Sequence, residues 1–418
     1  MTEHGISKLD LKRRNRMQIL RVLRENGPTS RVDLSKILQL TRAAVTLITN
    51  EMLGQNILIE LGNQRPSREK EVRKGRRKIL LDINPTFRFA LGLYIDEHSL
   101  SIGLTTLNFE ALEKRTMALP QKASRAEIVA LIRDESQRVL QNSCLHEMHI
   151  VGMGIGIMPS MWERLEITDS QSVSRLEEEI GEGLSFGVYA GNAIALFAVA
   201  SNHYQEHFGH PLNQVLLYAD ENEYHLAALY QNHLRSEFQM NTHVVNSFCI
   251  NPGGLSCEGY CNGSVKAELT AEAIGRKAAE YYSETQTPAL YQLTRGQGKR
   301  ITLAQMLSAL EAGDTLLRPL VQNLMDQFCL LLNNLEQMFF AHRICLYKFG
   351  FRKRHMEMLC AHMTQFSGAE SAAKLVLCDI EDPYRFTSGC AYAIQAGFFN
   401  RGGLTLEIDD EDTEGSDA

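Results

Sequence analysis

The sequence lacks the features that mark several classes of protein. None of its apolar runs approaches the roughly 20 residues of a membrane-spanning helix, so we expect no membrane insertion. Residues 1–10 contain no apolar stretch of the kind found in a secretory signal. The nine cysteines are odd in number and scattered, which fits reduced thiols better than a disulfide framework. These absences together predict a cytoplasmic protein.

The composition excludes further classes of protein. Of the 418 residues, 44% are hydrophobic and 22% are charged, with 30 glycines and 10 prolines. Such values exclude collagen-like, rod-like and wholly disordered chains. The length predicts two or three domains with ample room for a buried core.

Basic residues are concentrated near the amino terminus. Residues 1–82, here called the head, hold 18 Lys and Arg against nine Asp and Glu, a net charge of +9. The remaining chain holds 25 against 41, a net charge of −16, which gives the total of −7. A basic head on an acidic body indicates that the head binds a polyanion. A merely solvated basic surface is the alternative, and the abrupt change of sign disfavours it.

The head shows three helical patterns followed by two strand-like runs. Apolar periodicity predicts a first helix over Leu11–Asn26. Thr29 or Ser30 can cap a short second helix, and Thr41 can cap a third that runs to about Gly54. The apolar stripe of the short helix comprises Leu34, Ile37 and Leu38. This order of elements is typical of a winged helix-turn-helix.

The third helix has two predicted faces. The inward face comprises Val45, Ile48 and Met52, and the outward face comprises Arg42, Ala43, Thr46 and Thr49. Thr46 can hydrogen-bond to a base edge, small Ala43 permits close approach, and Arg42 can reach guanine or a phosphate. We therefore predict that Arg42, Ala43 and Thr46 contact the major groove of double-stranded DNA.

An arginine-rich loop separates the strand-like runs Ile57–Leu61 and Lys78–Ile83. Arginines in such a wing fit a narrow, electronegative minor groove. The predicted wing contacts to DNA are Arg65, Arg68, Arg73, Lys74, Arg76 and Arg77. A three-helix interaction module that binds no DNA is the alternative, but helix pattern, wing and charge agree on DNA.

Several motifs resemble the ROK family (repressor, open reading frame, kinase), which includes the N-acetylglucosamine and xylose repressors. In the head they are residues 15–20, 27–31, 33–35, 40–46 and 74–77. In the body they are weaker and comprise residues 152–156 with Pro159, 192–193, the region around His243, 313–314 and 388–393. The resemblance extends to about Gly402. It implies a winged helix-turn-helix followed by a two-lobed actin-like, ribonuclease H-like α/β body, and homodimers or homotetramers on paired half-sites.

The predicted domains are therefore a DNA-binding domain over 1–82 and a ROK-type effector and oligomerisation domain over 83–403. An acidic tail over 404–418 is predicted to be disordered. The body itself alternates strand-like and helical segments, which favours an α/β architecture. The strand-like segments are Phe89–Leu93, Leu100–Leu104, His149–Ile157, Val215–Tyr218 and Leu226–Tyr230. The helical segments are Ser124–Gln141, Asn192–Phe208, Ala271–Tyr282 and Thr315–Phe339.

Three motifs of the ROK kinases are not matched by this sequence. Kinases of the family bind phosphate at glycine-rich turns, where backbone amides can close on phosphate oxygens. The corresponding turns here, Tyr94–His98 and Tyr218–Tyr224, contain no glycine and carry carboxylates. The position of the aspartate that deprotonates the sugar hydroxyl is Ala190, which cannot act as a base. We therefore predict no catalytic residue and no enzyme activity.

The sugar and zinc motifs of the family are matched only in part. Met240 replaces the sugar-binding glutamate, but His243 matches the zinc histidine. Asn192 is either an effector contact or a helix cap, and we predict an effector site with Asn192 and His243. A structural zinc would use His243, Cys249, Cys257 and Cys261. Free thiols left by a lost site are the alternative.

The sequence therefore predicts a sequence-specific DNA-binding transcriptional regulator, a repressor of carbohydrate-related genes. Its inactive kinase-like body would sense a sugar, a sugar phosphate or a protein effector and would form the oligomer. One alternative is a ROK-type sugar kinase with an appended head, and another is a DNA-tethered scaffold that binds protein. The loss of the glycine turns favours the regulator or the scaffold over the enzyme.

Overall fold

The computed structural model describes residues 8–61, 78–203, 212–220, 222–235, 240–378 and 380–404. These residues form two compact units. The first takes in the chain up to Leu196, His203 and the residues from Glu381 onward, and the second takes in Phe197–Asn202 and Leu212–Ile380. Within the described ranges no helix has the length and apolar character needed to cross a membrane.

Helices and strands alternate along the chain. The helices are α1 Lys8–Asn26, α2 Arg31–Leu38, α3 Arg42–Gly54, α4 Arg125–Asn142, α5 Ser170–Gly181, α6 Ala193–His203, α7 Val265–Glu268, α8 Ala271–Ala278, α9 Pro288–Leu293, α10 Leu303–Glu311, α11 Arg318–Phe339, α12 Lys353–Ser367, α13 Ala369–Ala373 and α14 Thr387–Gly397. The strands are β1 Thr29–Ser30, β2 Leu58–Leu61, β3 Leu80–Ile83, β4 Phe89–Ile95, β5 Ser99–Thr106, β6 Ala111–Ala118, β7 Ile150–Ile157, β8 Val188–Asn192, β9 Gln214–Ala219, β10 Tyr224–Tyr230, β11 His233–Leu234, β12 Arg343–Tyr347 and β13 Leu375–Leu377.

The described part of the head contains three helices and a small antiparallel sheet, in an order consistent with the predicted winged helix-turn-helix. Ser30 caps α2 by accepting a hydrogen bond from the amide of Asp33, and Thr41 caps α3 by accepting one from Ala44. Strands β2 and β3 are antiparallel, and β1 adds to the outer edge of β3. The predicted caps and helix order are confirmed, whereas the two-residue strand β1 was not predicted.

Each unit contains a five-stranded sheet with the same pattern of directions. In the first unit the order is β6-β5-β4-β7-β8, antiparallel from β6 to β4 and parallel from β4 to β8. In the second unit the order is β11-β10-β9-β12-β13, again antiparallel up to β9 and parallel beyond it. The predicted α/β architecture is confirmed. The hairpin turns β4–β5 and β9–β10 occupy equivalent places in the two sheets.

The core of the head is continuous with the core of the first unit. Buried side chains of α1, including Leu20 and Leu23, belong to one cluster with Phe386 and Phe398, which flank α14 in sequence. Helix α14 lies against β7 at Gly389 and Gly154, where a side chain on either glycine would collide with the backbone of the other. The packing thus connects the head to the central strands of the sheet through α14. The proposed segment boundaries at residues 82 and 403 stay predictions.

Candidate nucleic-acid interface

Helix α3 presents one exposed face and one buried face. Val45 and Met52 have no exposed area, as predicted. Arg42, Ala43 and Thr46 are exposed, which places the three predicted groove contacts together on one accessible surface. This surface, with its neighbours Leu47 and Asn50, is here called the reading face.

Two predictions of side-chain direction in the head are wrong. Thr49 is fully buried, because its hydroxyl donates a hydrogen bond to the carbonyl of Val45 at 2.8 Å and its methyl group can pack inside. Ile37 was predicted to belong to an apolar stripe, yet its side chain is 51% exposed. A single exposed apolar residue is common on protein surfaces and needs no special explanation.

Sequence reasoning missed two members of the reading face. Leu47 is 73% exposed, and Asn50 is exposed one turn further along the helix. The signal that could have found Leu47 is its place in α3, immediately after Thr46 and four residues after Ala43. Residues three and four apart share one face of a helix.

Arg31 fixes the reading face against the sheet of the head. Its Nε donates to the hydroxyl of Thr49 at 3.1 Å, and its Nη2 donates to Asn50 Oδ1 at 3.1 Å and to Glu60 Oε1 at 2.9 Å. The guanidinium therefore links α2, α3 and β2. Because the side-chain oxygen of Asn50 accepts this hydrogen bond, the side-chain NH2 group is oriented away from Arg31 and can act as a donor. A fixed amide of this kind can donate to an acceptor on a base edge.

Two arginines, Arg16 and Arg24, attach α1 to α14 and to the segment that follows it. Arg16 is fully buried and donates to the carbonyl of Gly402, to Glu51 and to Gln55 at 2.8 to 2.9 Å.

Arg24 donates to Gln395 Oε1 at 2.6 Å, and its guanidinium carbon lies 4.7 Å from the centre of the Phe399 ring. Burial lowers the pKa of Arg24 to about 10, so the side chain is still charged at neutral pH.

The predicted wing contacts lie outside the described residues. They are Arg65, Arg68, Arg73, Lys74, Arg76 and Arg77. At the edge of the described chain, Lys78 Nζ lies 2.9 Å from Asp33 Oδ2, which ties the residues just before β3 to α2.

The β4–β5 turn is closed by a carboxylate. Asp96 Oδ1 accepts hydrogen bonds from the amides of His98 at 2.9 Å and Ser99 at 2.7 Å. The other oxygen of Asp96 lies 3.0 Å from Arg385 Nη1. In a glycine-rich phosphate-binding turn such amides are directed at phosphate oxygens. Here the aspartate accepts them instead and adds a negative charge.

The equivalent β9–β10 turn is closed in the same way. Asp220 Oδ1 accepts the amides of Asn222 at 2.6 Å and Glu223 at 3.0 Å. Burial alone would raise the pKa of Asp220, but hydrogen bonds from His225 and from these two amides outweigh burial and lower it. The carboxylate is thus charged at neutral pH, and a phosphate would meet like charge at this turn.

The position of the kinase base offers no carboxylate of its own. Ala190 is buried in β8, and its amide donates to Glu177 Oε1 at 2.6 Å. The pKa of Glu177 lies above its usual value, chiefly because the carboxyl group is partly buried. The hydrogen bond from Ala190 opposes this rise, and the nearby charge of Glu178 adds to it. The Glu177 carboxylate is therefore engaged by the backbone of the strand.

The two predicted effector residues have different surroundings. Asn192 is 2% exposed, and its Oδ1 accepts a hydrogen bond from the amide of Ile194 at 2.9 Å, so it caps α6. His243 is exposed at the start of a short 3-10 segment in the second unit. The cap role of Asn192 is the one that the structure displays, and an effector role for either residue stays a prediction.

The predicted zinc ligands are not brought together. Cys249 and Cys261 are exposed, and their thiols lie near the carbonyls of Asn262 and Ser247. Across the described ranges, no group of three or more His, Cys, Asp and Glu side chains could hold a metal ion. His243, Cys249, Cys257 and Cys261 as they lie here therefore do not fit a tetrahedral zinc site.

A surface depression of about 670 Å³ lies in the second unit. Its lining includes Arg276, Lys299 and Arg300, with Glu272 as an opposing charge. A side chain on residue 275 would collide with the carbonyl of Lys299. Because this residue is glycine, the 298–300 loop can lie directly on α8. Guanidinium and ammonium groups gathered in this way favour carboxylate or phosphate groups.

Known relatives of this chain are sugar repressors. The chain is 22% identical to the xylose repressor of Caldicellulosiruptor bescii over 147 residues, 35% of this chain and 35% of that protein. It is 24% identical to the DNA-binding transcriptional dual regulator NagC of Escherichia coli K12 over 206 residues, 42% of this chain and 49% of NagC. The matches thus span between a third and a half of these relatives. No protein-family model matches the chain.

Solved structures match over much more of the chain. A ROK family transcriptional regulator, a homologue of the E. coli MLC protein, superposes with a TM-score of 0.69 at 18% identity, over 96% of this chain and 99% of that one. The resemblance to the ROK family is confirmed. A ROK hexokinase from Thermus thermophilus superposes with a TM-score of 0.56 at 16% identity, over 74% of this chain and 98% of the hexokinase. The body therefore has the fold that ROK regulators and ROK kinases share.

Proposed function

We propose that the chain is a sequence-specific DNA-binding transcriptional regulator, a repressor of carbohydrate-related genes. The observation that carries this proposal is the reading face, exposed on α3 of a winged helix-turn-helix within a head of net charge +9. A helix of this kind fits the major groove, and the surrounding cations neutralise phosphates. The names of the relatives, which are xylose and N-acetylglucosamine repressors, support a link to sugars.

A charge placed on the reading face tests the proposal. Ala43→Glu puts a carboxylate on an exposed helical position, so we expect loss of duplex binding without loss of folding. Ala361→Glu makes the same change on an exposed position of α12 and is the matched control. Gel-shift titration of the full chain at low ionic strength measures both variants. Equal binding by Ala43→Glu and the native chain would contradict the proposal.

We propose further that the body has no kinase activity. Both hairpin turns that would hold phosphate have their amides accepted by aspartates, Asp96 and Asp220, and the base position is Ala190. The expected result of incubation with ATP, Mg²⁺ and a panel of hexoses is no ADP above background. Turnover that depends on a hexose would support the kinase alternative and refute this part.

The body is proposed to sense an effector and to form a homodimer or homotetramer. The cationic depression of the second unit favours an acidic effector over a neutral hexose. We expect calorimetric titration to show heat with a sugar phosphate and none with the corresponding free sugar. Binding of a neutral sugar alone would contradict this choice, and capture of a protein partner without any sugar response would favour the scaffold alternative.

A further inference from the structure

The reading face is apolar at its centre. Leu47 is 73% exposed there, beside the small side chain of Ala43 at the preceding turn. The buried side of the same helix already contributes Val45, Ile48 and Met52 to the core. Leu47 is not part of this core, and it is among the most exposed large apolar side chains of the described residues.

The neighbouring hydroxyl does not make this centre a hydrogen-bond donor. Thr46 Oγ1 donates its hydrogen to the carbonyl of Arg42 in the preceding turn, at 2.7 Å. The hydroxyl can then only accept, so it cannot donate to the acceptor atoms N7, O6 or O4 of the bases. Donors of the reading face lie instead towards its two ends, at Arg42 and at Asn50.

Base edges in the major groove offer one apolar group, the C5-methyl of thymine. We propose that Leu47, with Ala43 beside it, reads thymine methyl groups, an inference that rests on the proposed DNA-binding function. Leu47 is thus a specificity-determining residue. Each half-site of the operator carries thymine at the position opposite this part of α3, flanked by positions that accept from Arg42 and Asn50.

Removing the methyl group from DNA and the side chain from protein tests the contact from both sides. The probe is the duplex that the full chain selects from a random pool, with each thymine replaced in turn by uracil. In the native chain we expect a loss of about fourfold in affinity for each methyl group that Leu47 covers. The same replacement should change the affinity of Leu47→Ala by less than about twofold, because the contact is already absent.

The variant is chosen to leave the helix intact, since alanine is the best helix former and Leu47 is exposed. Leu11→Ala, on the exposed part of α1, is the matched control and should keep the full uracil effect. Equal uracil effects in the native chain and in Leu47→Ala would overturn the inference, as would a selected site without thymine. A native chain that selects no duplex would instead contradict the proposed function itself.

Discussion

Removal of the buried guanidinium of Arg16 should loosen the packing of the head. Its side chain is fully buried and is bonded to Glu51, Gln55 and the carbonyl of Gly402, so it joins α1, α3 and the segment after α14. Arg16→Met keeps most of the apolar stem and removes all three hydrogen bonds. The head should then open more readily, although the rest of the first unit stays folded.

The free-energy cost of Arg16→Met depends on how well the remaining carboxylate of Glu51 is stabilised without the guanidinium. Breaking a buried ion pair by removing one partner costs about 3–5 kcal/mol. Glu51 is 32% exposed and keeps Lys12 at 3.0 Å, so its stranded carboxylate stays partly solvated and the lower end applies. A cost of about 3 kcal/mol corresponds to roughly a hundredfold increase in the local opening equilibrium.

Hydrogen exchange followed by mass spectrometry measures this opening directly. We expect the amides of α1 and α3 to lose about two orders of magnitude of protection in Arg16→Met. Arg14→Met, an exposed position of the same helix, is the control and should exchange as the native chain does. Unchanged protection in Arg16→Met would refute the idea that this network holds the head on the first unit.

Three further predictions concern the wing, a capping carboxylate and the cysteines. Arg76→Ala with Arg77→Ala should weaken DNA binding. It should also reduce, by about 2, the slope of the logarithm of the binding constant against the logarithm of the salt concentration, because two phosphate contacts are lost. An unchanged slope in an anisotropy titration would refute those contacts. The hydrogen bond from Ser30 lowers the pKa of Asp33, although partial burial raises it, and Lys78 lowers it further. The ionised Asp33 therefore stabilises the fold at pH values above its pKa in the unfolded chain, which is about 4. This stabilisation is lost as the pH falls through the lower pKa of Asp33 in the folded chain. The difference in free energy of unfolding between the native chain and Asp33→Asn, measured with urea, should then shrink in acid. A difference that stays constant with pH would argue against stabilisation by ionised Asp33. Elemental analysis of purified protein should find well under one zinc per chain, and a full equivalent that Cys257→Ser removes would show the predicted site after all.

Local signals predicted much of the fold. The two helix caps of the head, Ser30 and Thr41, were readable because a hydroxyl before an apolar run satisfies the first amides of a helix. The alternation of strands and helices likewise predicted the α/β body. These features depend on residues within a few positions of each other, which a sequence displays directly.

Features that depend on distant parts of the chain were not readable. Arg16 lies in a run of basic residues that a sequence presents as a solvated surface, yet its buried partner Gly402 is 386 positions away. Thr49 looked outward because it is polar, but its hydroxyl is satisfied within its own helix. The ion pair between Arg385 and Asp96 of the β4–β5 turn is likewise a long-range contact. The absence of glycine and the presence of carboxylates in that turn were visible in the sequence, whereas the hydrogen bonds from the turn amides to Asp96 were not.

The decisive experiment for DNA recognition by α3 is selection of bound duplexes from a random pool by the full chain. We expect enrichment of a short motif that occurs as two symmetric half-sites, and we expect Ala43→Glu to enrich nothing. A native chain that recovers no motif at low ionic strength, while folded and oligomeric, would contradict this expectation.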